Sequence, residues 1–140
     1  MTINCIANQI VDSAYQIHKV LGPGLLESVY QRILAAELKQ RGCQVTLQQP
    51  IPIHYRGLQF EAGFRADMIV ENVIIVEIKS VDAVHPVHKK QPLTYLRLAD
   101  KRLGLLINFN VCLFKDGVSR VVNGLTEERF VQRQDAKAQS

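Results

Sequence analysis

Val73-Ile74-Ile75-Val76 sets four apolar residues in a row, every one of them β-branched. Such residues lose side-chain freedom in a helix and pack well on a pleated surface, so the run reads as a strand covered on both faces. A strand of that kind needs packed layers above and below it, which points to an α/β chain. Glu77-Ile78-Lys79 follows directly. On a strand Glu77 and Lys79 point to one face and Ile78 to the other. Charge at the end of a buried strand is a local conflict, and such conflicts gather at functional sites.

Helical spacing precedes this strand. Ile6, Ile10, Val11, Ala14, Ile17 and Leu21 recur at the helical period until Gly22-Pro23-Gly24 interrupts them. Leu26, Val29, Tyr30, Ile33, Leu34 and Leu38 form a second stripe, ending at Arg41-Gly42. From Cys43 the period drops to two, and Pro50 and Pro52 suit an edge segment. Ile53–Tyr55 and Leu58–Glu61 flank Arg56-Gly57 as one hairpin; Phe64–Val70 and Val73–Lys79 flank Glu71-Asn72 as another. A helix over about Val87–Ala99 then leads to strands at Leu103–Phe109 and Val118–Val122. A strand, a helix and a strand make a crossover, so 73–79 and 103–109 are expected to run parallel. Pro92 sets a condition on that helix: it either distorts the opening turns or stands at the first position. The predicted architecture is a mixed central sheet flanked by helices, two of them N-terminal. One domain of 140 residues is expected, folded over 1–125 with a polar tail over 126–140.

Several function classes fall away on composition. No apolar run approaches the roughly 20 residues that span a bilayer, and no secretory leader is visible. Cys5, Cys43 and Cys112 are odd in number and lack zinc-ligand spacing, which fits reduced thiols and a cytoplasmic location. His85 and His88 have no second pair to complete a zinc site. There is no glycine-rich phosphate loop. The net charge of +4 is compatible with a nucleic-acid partner without requiring one.

The chemistry concentrates on Asp67, Glu77 and Lys79. A strict two-residue loop at Glu71-Asn72 sets Asp67 opposite Val76, on the wrong face. A three-residue loop or a bulge shifts the pairing by one and brings Asp67 to the Glu77/Lys79 face. A functional site requires that second register, and it is the one expected. Two carboxylates there offer hard oxygen ligands to Mg²⁺ or Mn²⁺, and the lysine offers a compact charge to a phosphate or an attacking water. Taken alone, D-x9-E-x-K also describes an ordinary solvated strand end.

Gly24-Leu25-Leu26-Glu27-Ser28-Val29-Tyr30 matches G-x-x-E-x-x-Y, the pattern naming a family of small prokaryotic proteins. Phe64-Arg65-Ala66-Asp67, Val76-Glu77-Ile78-Lys79, Pro86-Val87-His88, Gln91 with Tyr95-Leu96, and Gly104 through Phe109 follow in that family's order. Over residues 5–123 the chain resembles this GxxExxY family, which is placed in the PD-(D/E)xK nuclease superfamily. The resemblance implies a restriction-endonuclease-like core of helix, three antiparallel strands, helix and strand. It maps Asp67, Glu77 and Lys79 onto the catalytic triad, and Glu27 onto an acidic metal ligand from the first core helix. Gln91 and Tyr95 resemble a Q-x-x-x-Y element, and Tyr30 reads as packing.

The expected function is metal-dependent hydrolysis of a nucleic-acid phosphodiester, DNA foremost, by metal-activated water. Glu27, Asp67, Glu77 and the Ile78 carbonyl are the expected ligands, with Lys79 and Gln91 serving the phosphate or the water. The alternative is an inactive nuclease-like module that binds nucleic acid or a protein. Specific DNA interfaces bury about 1,000–2,500 Å², which favours a homodimer or an accessory recognition partner for so small a chain.

Overall fold

A computed structural model describes residues 1–124; the expected tail at 126–140 lies outside the described residues. Helix α1 (Ile3–Leu21) starts at Thr2, whose hydroxyl accepts the Cys5 N–H, and buries Ile6, Ile10, Ala14 and Ile17 along one stripe. It stops at Gly22, which takes a positive φ of 72°. Helix α2 (Glu27–Gln40) follows. Strands β1 (Val45–Tyr55), β2 (Leu58–Val70) and β3 (Ile74–Lys79) come next, then helix α3 (Pro86–Ala99) and strands β4 (Leu103–Asn108) and β5 (Val118–Val122).

The five strands form one sheet in the order β1-β2-β3-β4-β5. β3 and β4 are parallel across the α3 crossover, and all other neighbours are antiparallel. β3, the β-branched run, is central and buried along its length until Lys79. The α1/α2 face holds Met68, Val70, Ile74, Val76 and Ile78 against Ile10, Leu34 and Leu38. The α3 face holds Ile69 and Ile75 against Leu96.

One expectation is corrected, and the open placement of Pro92 is decided. Leu58–Glu61 and Phe64–Val70, expected as arms of two hairpins, are one strand, β2, and its partner β1 reaches back from Tyr55 to Val45, so the two make one long ribbon turning at Arg56-Gly57; the second hairpin, β2 with β3 about Glu71-Asn72, stands as expected. Pro50 and Pro52 do not end β1, because it is the edge strand and their missing donors cost it no ladder bond. Helix α3 starts at Pro86 and runs through Pro92, so Pro92 is internal and buried rather than initiating. The helix forgoes the bond that an N–H at 92 would give the His88 carbonyl.

Tyr30 joins α2 to the loop before it. Its ring stacks on Phe109 at 4.2 Å with an interplanar angle of 5°. Its hydroxyl donates to the Gly22 carbonyl and accepts the Leu25 N–H. Removing that hydroxyl keeps the stack and orphans two backbone groups. Tyr30→Phe should therefore cost about 1–2 kcal/mol, read as a lowered urea midpoint at unchanged m-value; an unchanged midpoint contradicts this role.

Candidate active site

The loop between β2 and β3 is three residues long, with Met68 opposite Val76 and Val70 opposite Ile74. Continuing that register sets Asp67 across from Glu77, the odd pairing expected for a site. Glu71 and Asn72 accept positive φ of 52° and 58° to make the turn.

The regular ladder gives way at this point. On the other side of β2 the pairs run Leu47 with Met68 and then Gln49 with Ala66, skipping Gln48 and Asp67. Gln48 has a left-handed φ of 53°, so it does not offer Asp67 an ordinary strand partner. The Asp67 N–H donates instead to Glu77 Oε2 at 3.2 Å, and the Ile78 N–H donates to Asp67 Oδ2 at 2.9 Å. Side-chain carboxylates thus replace backbone carbonyls where β2 separates from β3.

Burial and mutual repulsion govern the charge of the pair. Glu77 is 7% exposed, and desolvation followed by the Asp67 charge pushes its carboxyl up to about 8. Asp67 is also raised, chiefly by desolvation, while the Ile78 N–H and the Lys79 charge work the other way. Lys79 forms no ion pair within bonding distance of either carboxylate among the described residues, yet its charge favours ionisation of both. Burial and the charges of Glu77 and Asp67 raise Tyr95, which places that phenol near the pair. Tyr95 stacks on Phe64 of β2 at 3.9 Å.

Glu27 opens α2 from the opposite side. Its Oε2 accepts the Ser80 N–H at 3.2 Å, and the Ser80 hydroxyl donates to the Leu25 carbonyl at 2.7 Å. Glu27 forms a shared wall between two open recesses. One, of about 610 Å³, runs along Gly24–Ser28 to Ser80 and Asn110. The other, of about 570 Å³, reaches Asp67 past Gln31, Arg32 and Gln48. Gln91 lies half-buried on α3, one turn before Tyr95. Among the described residues it makes no hydrogen bond to Asp67, Glu77 or Lys79.

The structure thus unites Asp67, Glu77 and the Ile78 amide, sets Lys79 beside them and brings Glu27 to the same opening, while Gln91 stays half-buried on α3 and lines neither recess. Three contributors escaped the sequence reading. Gln48 breaks the ladder and donates to Gln31. Ser80 holds Glu27. Asn108 is 4% exposed; it accepts the Val81 and Asn110 N–H groups and donates to the Val81 carbonyl, pinning the chain just past Lys79. The Gly104–Phe109 motif contained Asn108, but nothing in its neighbours signalled that role.

No three His, Cys, Asp or Glu residues among those described are gathered so as to hold a metal ion. The donor chemistry nevertheless fits a hard divalent cation. Asp67 and Glu77 are adjacent oxygen donors whose joint ionisation is opposed by burial and repulsion, and a cation offsets both.

A model of the PD-(D/E)XK nuclease superfamily matches residues 4–121. No curated protein matches the chain. Nucleases of this superfamily generally use divalent metals, consistent with the donor pair.

A raised carboxyl favours the folded state while protonated. Its contribution is fully present below the unfolded value of 4.5 and is lost as pH rises through about 8; Asp67 acts in the same direction. Metal-free protein should therefore lose thermal stability from pH 5 to pH 8.5, and Glu77→Gln should flatten that decline and raise Tm at pH 8.5. Equal slopes for the two proteins in chelator would refute the assignment.

Proposed function

Because the chain belongs to the PD-(D/E)XK nuclease superfamily, we propose that it is a divalent-metal-dependent nuclease hydrolysing nucleic-acid phosphodiester bonds, with DNA as substrate. The observation that carries this reading is the buried Asp67–Glu77 pair beside Lys79, set where β2 and β3 part. Mg²⁺ or Mn²⁺ held by Asp67 and Glu77, with the Ile78 carbonyl and Glu27 as further oxygen donors, would lower the pKa of a bound water and offset charge on the phosphate. Glu77 must release its proton for such binding, so affinity rises with pH.

The chain's own groups would do the rest. Lys79, on the same strand face as Glu77, attracts the scissile phosphate or holds the attacking water. Gln91 contacts the phosphate or orients Lys79. Arg32, exposed at the rim of the recess that reaches Asp67, is placed to meet a neighbouring phosphate. Water attacks phosphorus directly, with no covalent enzyme intermediate.

Gly24, Glu27 and Tyr30 support placing the chain in the GxxExxY group of the superfamily. Gly24 takes a φ of 103° and Tyr30 ties down the loop from which Glu27 projects. No described helix is long and apolar enough to cross a membrane; unpaired Cys5, Cys43 and Cys112 fit a cytoplasmic setting. Recognition of a duplex calls for more surface than one domain offers, from a second copy or an accessory protein.

One observation favours a second reading, a binding module without catalysis. Glu27, Asp67 and Glu77 each already accept a backbone N–H from within the chain. Calorimetric titration with Mg²⁺ and Mn²⁺ to millimolar concentration, with a short oligonucleotide present, separates the two. Saturable binding that Asp67→Ala/Glu77→Ala abolishes is expected. Asp67→Ala and Lys79→Ala should each lower cleavage by at least about a thousandfold with the fold intact. Cutting retained in pure Asp67→Ala protein eliminates the nuclease proposal; absent metal binding favours the module.

A further inference from the structure

β1 and β2 exchange faces along their length. Val45 and Leu47 of β1, with Met68 and Val70 of β2, pack into the core under α1 and α2. Ile51 of β1, with Phe64 and Ala66 of β2, packs into the core under α3. On each strand these residues share one parity, so strict alternation would keep them all on one face. The exchange falls at Gln48, with its left-handed φ of 53°, and at Asp67, the two positions the ladder skips.

That exchange decides where Arg65 goes. Standing between Phe64 and Ala66, it points away from α3, to the α2 side of the sheet. Its guanidinium reaches the Gln48 carbonyl at 3.5 Å. Gln48 lines the recess of about 570 Å³ that reaches Asp67, and Gln31 and Arg32 of α2 line it too. The Gln48 amide donates to Gln31 Oε1 at 2.8 Å, and Gln31 is buried, so helix and ribbon are tied together there. Arg32 thus stands on the helix bank of the recess and Arg65 on its ribbon bank.

Neither cation is neutralised within the chain. Both are exposed, and neither forms an ion pair among the described residues. Arg41, by contrast, is held by Asp12 and Glu37, and Arg102 by Asp100. The acids of the recess, Glu27 and Asp67, are those assigned to the metal. The other recess along Glu27, from Gly24 to Ser80 and Asn110, is lined by no cation.

Unpaired guanidinium groups on two banks suit phosphates spaced along a backbone, which they meet as planar forks of donors. No aromatic side chain lines the recess, so stacked bases find no platform, and contact is with phosphate rather than sequence. Two such contacts are few for a duplex, whose specific interfaces bury about 1,000–2,500 Å². They suit a single strand.

Building on the nuclease reading, we propose that Arg32 and Arg65 clamp the phosphodiester backbone of a single nucleic-acid strand in this recess and lead it to Asp67. Fluorescence anisotropy of a short labelled oligothymidylate, in chelator so that nothing is cut, reads the clamp apart from catalysis. Binding that weakens as salt rises is expected. Arg32→Gln and Arg65→Gln should each raise Kd about fivefold or more. Each should also lower the slope of log affinity against log salt by roughly 0.7, and the pair by roughly 1.4. Arg32→Lys and Arg65→Lys keep the charge and should keep the slope. Lys101→Gln, which alters a cation bonded to Asn72 in the turn beyond the opposite end of β3, should leave affinity and slope unchanged. Tm should stay constant throughout. Wild-type protein that fails to bind the strand at low salt overturns the proposal, as do arginine variants no weaker than Lys101→Gln. Displacement of the strand by polyglutamate at equal charge concentration overturns it as well. A chain that shows these arginine effects yet never cuts keeps the clamp and discards the nuclease; one that cuts, with binding indifferent to both arginines, discards the clamp.

Discussion

Two carboxyl groups share a space from which most water is excluded, and the surrounding structure is arranged to make that tolerable. Ionising both Asp67 and Glu77 sets like charges together at low dielectric, which neither group sustains without compensation. The chain supplies partial compensation by directing two backbone donors at them, the Asp67 N–H and the Ile78 N–H. Those donors are free because β2 and β3 have ceased to be an ordinary ladder. The remaining deficit can be met by a proton, which Glu77 holds up to about pH 8, or by a cation. The same geometry that makes the pair expensive makes it a ligand.

The other elements can be ordered by what they do for that pair. α1 and α2 cover one face of β3 and α3 covers the other, so the carboxylates sit at the end of a rigid central strand. Tyr30 fastens the loop before α2, and Ser80 ties that loop and Glu27 to the chain leaving β3. Asn108 holds the same segment from β4. Glu27 and Lys79 therefore owe their positions to one short stretch anchored from two neighbouring elements. A change at Ser80 or Asn108 would move both.

Much of this was legible in the residues, for definite reasons. β-branching identified β3, and the crossover order identified the parallel β3–β4 pair. Parity could put Glu77 and Lys79 on one face, but the partner register depended on one residue of loop length. Only the requirement for a working site selected it. Glu27 came solely from the family pattern, since a glutamate in the first turn of a helix ordinarily complements the helix dipole. Gln48 was hidden because glutamine has no preference for a left-handed backbone; tertiary context imposes that conformation. The single long ribbon was obscured by Pro50, Pro52 and Gly63, each of which reads locally as an interruption.

Those same interruptions give the ribbon a consistent logic. Proline is tolerated in β1 because β1 is the edge, and there it protects the edge from further pairing. Gly63 admits the bulge that separates the core-packed half of the ribbon from its outer half. Inside the bulge, Phe64 stacks on Tyr95 next to the carboxylates; outside it, Phe60 faces solvent. β2 thus joins a solvent-facing outer half to the segment that carries Asp67.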